Sequence, residues 1–422
     1  MDDCVPVPQF AGRLGASAVP LEELDPSDAE LFSSGAHWAC FERLRQEAPV
    51  HWSVSPRPEV GGYWSVTRYD DIVAVDTDHE TFSSEPAIAL PDPIPGLTLP
   101  MFIAMDPPRH ELQRKTISPV VSGPNLAHLS TVIRERARRI LDELPIGVEF
   151  DWVDKVSIEL TSMTLATLFD IPWEDRRKLT RWSDVATAPP DSPLFELGRG
   201  AEQRKEELFQ CLAYFSQLWD ERASAPPRPD LISMLAHGPS TRNMDRMEYL
   251  GNLLLLIVGG NDTTRSTISA SIYALSQNPE QERRLRDCAR LIPDMVSETI
   301  RWQTPLAYMR RTAKRDVELG GKTIRAGDKV AMWYISGNRD ERVIERPNDY
   351  WIERPRVRQH LSFGFGVHRC VGMRLAELQL KIIWEEILRR FPVIEVTGKP
   401  TFVYSSFVHG YRHLPVLIPR RE

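Results

Sequence analysis

The sequence predicts a mainly α protein with a small β-rich lobe, and three observations carry that prediction. Apolar residues recur at helical spacing in the middle of the chain and again near its end. Alternating segments bounded by turn residues are confined to two short regions. Proline clusters punctuate the rest at places where an ordinary helix could not continue.

Residues 1–25 are polar and contain proline, and are expected to form a loosely docked N-terminal arm, with 26–422 as one domain. Ala36 to Arg45 has a helical pattern. Pro49 to Val66 reads as two strands around a Pro/Gly turn, with Tyr63, Trp64 and Val66 in the second. Glu85 to Pro108 carries prolines at 86, 91, 93, 95, 100, 107 and 108, so it is expected to be a long loop. Long ordered loops in compact domains are often functional lids. Pro189-Pro190 with Pro193 separates two helical stretches, and Pro226-Pro227-Arg228-Pro229 precedes another short helix. Leu250, Leu253, Leu254 and Ile257 mark one buried helix face, and Ala376, Leu380, Ile383, Ile387 and Phe391 mark another that stops at Pro392. Between them, Asp316 to Ile335 alternates like strands, with turns at Gly320-Gly321 and Gly327-Asp328.

A hydrophobic fraction of 42% over 422 residues is enough for a large core. The net charge of −7, with no basic block, argues against a nucleic-acid partner. No run of 18 apolar residues occurs, and the N-terminus MDDCVPVPQF lacks a signal-peptide pattern. The expectation is a cytoplasmic chain without a membrane span. Cys4, Cys40, Cys211, Cys288 and Cys370 are scattered and odd in number, which suits a reducing compartment. Four of them read as small buried hydrophobes.

Cys370 is different. It lies in Phe363-Gly364-Phe365-Gly366-Val367-His368-Arg369-Cys370-Val371-Gly372, just ahead of a long amphipathic helix. Glycines at 364, 366 and 372 allow close approach to a flat group. Free N–H groups and the helix dipole are expected to lower the thiol pKa, and a thiolate there can hold haem iron. His368 is placed to reach a haem propionate.

A second signal is Gly259-Gly260-Asn261-Asp262-Thr263-Thr264, continuing the helix that begins near Leu250. Adjacent glycines inside a helix cost about 1 kcal/mol each against alanine, so something must approach the backbone. Thr263 can bond back to the carbonyl of Gly259, opening the helix locally. Asp262 and Thr263 then offer an acid and a hydroxyl for proton delivery to a bound oxygen.

The cysteine loop resembles that of the cytochrome P450 family, and the other family motifs follow in order from about Phe41 to Leu414. The resemblance implies the family's fold: a large helical domain, a small β-rich lobe and haem buried between two long helices. It implies haem b with Cys370 as the iron ligand, and Asp262-Thr263 as the acid–alcohol pair. Phe363, Gly364 and Gly372 belong to the cysteine motif. Glu298-x-x-Arg301, with Arg354 as third member, is the family's structural lock beneath the haem. In Asp106-Pro107-Pro108-Arg109-His110 and Arg114, the resemblance assigns His110 and Arg114 to a propionate. Arg311 is the other propionate arginine, with Arg310 an open neighbour.

The resemblance also places the substrate wall. Leu97, Leu99, Met101 and Phe102 come from the Pro-rich loop, and Leu255, Val258 and Gly259 from the Gly-Gly helix. Leu306, Ala307, Phe407 and Val408 complete it. These residues are apolar, so an apolar substrate is expected. The wording at 259–265, 309–313, 336–341 and 405–411 is similar to the bacterial branch that hydroxylates terminal carbons of medium-chain alkanes and fatty acids with O₂. That branch draws electrons from a ferredoxin and its reductase, and a monomer is expected. A bulkier terpene or steroid substrate, a peroxide-driven enzyme and a gas sensor are the alternatives. Asp262-Thr263 argues against the peroxide-driven class, and the apolar wall against the sensor.

Overall fold

The structure is a computed structural model that describes residues 19–93 and 97–421. The first helices are α1 (Ala29–Ser34), α2 (His37–Glu47), α3 (Tyr69–Thr77) and α4 (Arg109–Ile117). Then come α5 (Gly123–Asp142), α6 (Glu159–Phe169), α7 (Arg176–Thr187), α8 (Gly200–Ala223) and α9 (Leu231–His237). The series ends with α10 (Arg246–Gln277), α11 (Pro279–Asp287), α12 (Ile292–Gln303), α13 (Tyr334–Gly337) and α14 (Met373–Arg390). Strands β1 (Val50–Val54), β2 (Gly62–Val66), β3 (Phe82–Ser83), β5 (Met309–Ala313) and β8 (Lys329–Met332) form one sheet in the order β1-β2-β8-β5-β3. Short pairs complete the β structure: β6 (Val317–Leu319) with β7 (Lys322–Ile324), and β10 (Thr401–Phe402) with β11 (Tyr411–His413). A last sheet joins β4 (Phe150–Asp151), β12 (Pro415–Leu417) and β9 (Glu395–Val396).

The long helix α10 starts where Asp245 accepts from the backbone N–H groups of Met247 and Glu248 at 2.8 and 2.9 Å. Its predicted stripe, Leu250, Leu253, Leu254 and Ile257, is buried, and Ile268, Ile272 and Leu275 extend the burial to its far end. Each such side chain contributes about 1.5–3 kcal/mol by leaving water. Helix α14 buries Leu380, Ile383 and Ile387, with Phe391 capping the stripe. Trp384 of α14 donates to Ser271 Oγ of α10 at 2.8 Å, tying the two long helices together inside the core.

Two expectations are corrected. Tyr334 and Ile335 are not strand: β8 stops at Met332 and the chain turns at once into α13. The N-terminal arm is docked at its end, because Leu24 is buried against Cys40 and Leu44. Residues 1–18, including Cys4, lie outside the described residues, as do 94–96 of the Pro-rich loop. Among the described residues no helix is long and apolar enough to cross a membrane.

Candidate active site

The cysteine loop closes on itself: Cys370 N donates to Phe363 O at 2.8 Å. Two residues on, Gly372 caps α14. Gly364 and Gly366 adopt φ of +65° and +62°, where a side chain would be strained. A Cβ on Gly366 would lie 2.7 Å from Asp76 O, and one on Gly364 would lie 3.2 Å from Asp76 Oδ2. Those two glycines therefore make room for the end of α3. Gly372 differs, since a Cβ there would meet only Cys370 Sγ, at 3.9 Å.

The thiol itself departs from expectation. The Cys370 side chain is open to solvent, yet the mass of protein packed around it pushes the thiol above its ordinary value, while the N–H groups of Gly372 and Met373 and the charges of Arg114 and Arg369 pull it down without prevailing. Desolvation of the charged form outweighs the helix end here. A coordinated cation reverses that balance, since a coordinating thiol is deprotonated outright.

Beside the loop lies a cationic and imidazole cluster. His110 of α4 is buried, its ring 4.0 Å from that of His368. His368 Nε2 pairs with Ser84 Oγ at 2.9 Å. Among the described residues, both ring nitrogens of His110 and Nδ1 of His368 have no hydrogen-bond partner. Burial, then Arg114 and Arg311, lowers the His110 pKa to about 4. Burial, Arg311, His110 and Arg114 lower His368 to about 2. Arg114 donates to Arg369 O in the cysteine loop. Arg311 is buried and paired with Asp76 at 2.7 Å. Arg310, its neighbour on β5, turns instead to Leu90 O and to Asp92, the latter at 2.9 Å. Buried polar atoms left unpaired are destabilising unless a ligand answers them. The donor set fits the carboxylates of a haem, with Cys370 next to it. Among the described residues no three His, Cys, Asp or Glu side chains gather as metal ligands.

On α10 the neighbouring glycines differ. A Cβ on Gly260 would strike Leu165 Cδ2 of α6 at 2.6 Å, whereas one on Gly259 would meet nothing within 4 Å. Leu255, Val258, Gly259 and Thr263 lie on a partly open side of α10, whose middle turns are otherwise mostly buried. Thr263 Oγ1 donates to Gly259 O at 3.1 Å, as expected, yet α10 remains an unbroken helix through this point.

Asp262 does not sit with Thr263. Its carboxylate is fully buried and faces α7, 2.9 Å from Arg265, and accepts from Thr187 Oγ1 at 3.3 Å and Asn261 Nδ2 at 3.2 Å. Arg265 also pairs with Asp184 of α7. Burial raises the Asp262 pKa to about 6, with Arg265 opposing and Asp184 reinforcing the shift.

The lock beneath is complete. Arg301 holds both oxygens of Glu298 at 2.8 Å, and Arg354 reaches the same oxygens at 3.1 and 3.2 Å. All three side chains are buried. Arg301 also donates to the carbonyls of Asn338, Pro347 and Asp349, which pins the loop ahead of the cysteine.

The expected substrate wall divides. Met101, Leu255, Val258, Leu306 and Phe407 keep partly open surface, and Leu306 bridges to Val408. Ala307 is fully buried and contributes backbone bonds to Phe407 O and from Ile335 N, so it offers no wall. Leu97 and Phe102 are buried in the main core, and Val408 beneath the bridge. Residues the sequence reading missed are Asp76, Ser84, Thr187 and Asp184. Each becomes visible only through a partner more than 70 positions away.

Comparison with known proteins agrees with this geometry. The family model described as cytochrome P450 matches residues 289–409. Linalool 8-monooxygenase from Pseudomonas putida is 35% identical over 95% of this chain and 100% of its own. The methyl-branched lipid omega-hydroxylase of Mycobacterium tuberculosis is 31% identical over 95% of this chain and 97% of its own. The solved structure of CYP153D17 from Sphingomonas sp. PAMC 26605 superposes with a TM-score of 0.87 at 48% identity, covering 94% of this chain and 99% of that one. The chain belongs to the cytochrome P450 family. It is an oxidoreductase of the monooxygenase kind, and its cofactor is a haem whose iron is held by a cysteine.

Proposed function

We propose that this enzyme hydroxylates a linear aliphatic chain, an n-alkane or a fatty acid, at or near its terminal carbon, with Cys370 as the iron ligand. The observation that carries the reading is the partly open side of α10 at Leu255, Val258, Gly259 and Thr263. It is apolar except for one hydroxyl, which suits a substrate held by burial rather than by charge.

Bound haem supplies the activation of O₂ and the insertion of one oxygen atom into a C–H bond. This chain's residues do the rest. Cys370 Sγ binds the iron, while Arg114, His110, His368 and Arg311 orient the propionates. Thr263 Oγ1 holds a hydroxyl proton at this partly open side. Asp262, with a pKa near 6, exchanges a proton with its surroundings near neutral pH and can relay it once it swings away from Arg265. Leu306 and Phe407 admit one chain end and turn the rest away.

Electrons come from a ferredoxin and its reductase. Arg342, Arg346, Arg356, Arg358 and Arg369 are all exposed around the loops leading to Cys370, a basic patch suited to an acidic partner. The enzyme acts as a cytoplasmic monomer, with residues 26–422 as one catalytic domain. A bulkier apolar substrate is the second reading, favoured by the likeness to a linalool 8-monooxygenase. Gas chromatography of products from octane and dodecanoic acid decides between them. Terminal alcohols support the first reading, and turnover of a terpene or steroid with both linear chains untouched overturns it.

A further inference from the structure

Asp76 is a buried carboxylate that touches the cysteine loop directly. It sits at the end of α3, and its two oxygens take three donors from three distant parts of the chain. Oδ1 accepts from Arg311 Nη2 of β5 at 2.7 Å. Oδ2 accepts from the Tyr334 hydroxyl of α13 at 2.9 Å and from the backbone N–H of Phe365 at 2.8 Å. The loop glycines make room for this residue, since a Cβ at Gly364 would lie 3.2 Å from Asp76 Oδ2 and one at Gly366 would press on the Asp76 backbone carbonyl. Tyr334 is held protonated by burial and by the carboxylate beside it, so it stays a donor.

This arrangement is more than a core ion pair. A buried pair satisfied only by itself is often no better than apolar packing. Here the carboxylate fixes two things at once: the guanidinium that faces His110 and His368, and the loop that carries Cys370 five residues after Phe365. Arg311 spends only one bond on Asp76 and one on Arg310 O, which leaves further guanidinium N–H groups for another acceptor. The pairing therefore orients Arg311 without consuming it.

We propose that Asp76 is a positioning residue of the haem site: it sets Arg311 and the cysteine loop in register, and its negative charge lowers the haem reduction potential. The inference rests on the reading that Cys370 and Arg311 hold the haem. Removing a buried negative charge beside the loop that would hold the iron favours the reduced state, which carries one more electron. Loosening Arg311 and the loop also speeds loss of the cofactor.

The test uses the holoenzyme. Asp76→Asn is expected to keep the thiolate-type carbon monoxide spectrum, shift the midpoint potential to a more positive value, and speed haem transfer to apomyoglobin several-fold. Combined with Arg311→Lys, the two effects on transfer rate should be non-additive, because they act on one contact. An unchanged potential, or additive effects, overturns the proposal even if the melting temperature falls. Should Asp76→Asn fail to fold, Tyr334→Phe removes one donor and leaves the charge. It is expected to speed haem transfer with little change in potential, and an unaltered transfer rate overturns the proposal. Failure of the underlying cysteine reading is distinguishable, since Cys370→Ala would then keep the thiolate-type spectrum.

Discussion

Asp262 and Thr263 are adjacent in sequence and face opposite ways: the carboxylate is locked against Arg265 beside α7, while the hydroxyl lies on the partly open side of α10, bonded to Gly259 O. A peptide bond joins them, but no hydrogen bond does. Proton delivery through both therefore involves motion of the acid, and the two residues should fail in different ways when substituted.

Thr263→Ala should leave substrate binding intact and uncouple reduction from hydroxylation. Substrate-induced spectral change should persist while peroxide rises and product falls, measured against NAD(P)H consumed. Normal coupling would remove Thr263 from the chemistry.

Asp262→Asn should slow coupled turnover by about 10²-fold, the usual worth of a positioned acid, and remove a pH dependence centred near 6. The stability change has a defined sign. The folded pKa lies above the ordinary 3.8, so the native state binds more protons than the unfolded chain between those values. Wild-type stability from this group falls as pH rises through that window. The advantage of the asparagine variant should accordingly grow from pH 4 to pH 6 in urea titrations.

Leu306→Ala should widen the space beside Val408 and move oxidation inward along a linear chain. Inner C–H bonds react more readily, so only confinement favours the end. A tenfold change in the ratio of terminal to inner alcohols corresponds to about 1.4 kcal/mol of differential barrier. Gas chromatography of dodecanoic acid products reads it directly.

Glu386 of α14 offers a stability test away from the site. Burial opposes its charge, but hydrogen bonds from Arg134, Arg390 and Arg138 prevail and hold it at about 2. Its folded pKa is depressed, so its contribution is full above pH 4.5 and is lost as pH falls toward 2. Glu386→Gln should cost about 3 kcal/mol at pH 7, the low end of the range for breaking a paired buried charge. The difference from wild type should narrow as the pH is brought down to 3.

The cysteine loop and both long helices were legible as local spacing, whereas the Glu298–Arg301–Arg354 lock was legible only through the family resemblance, because Arg354 is distant from the other two in sequence. The sequence left the partners of buried charges hidden. Asp76 reads as an ordinary polar residue on a short helix until β5 folds over it, and Arg265 reads as a surface arginine three positions past Asp262. Loop positions were equally opaque. Nothing periodic says that Leu97 and Phe102 turn into the core while Met101 keeps open surface. Ala307, expected in the substrate wall, is buried where its backbone N–H bonds to Phe407 O, a pairing no local pattern announces.

The paired glycines of α10 have unequal futures under mutation. At Gly260 one extra carbon would meet Leu165 Cδ2 of α6 at 2.6 Å, so a larger residue there requires the Leu165 side chain to move. At Gly259 the same carbon meets empty space. Alanine there would also favour the helix by about 1 kcal/mol. Gly259 is thus a dial for engineers: successive side chains of increasing bulk would shorten the room above the cofactor in steps, leaving the scaffold to carry the change.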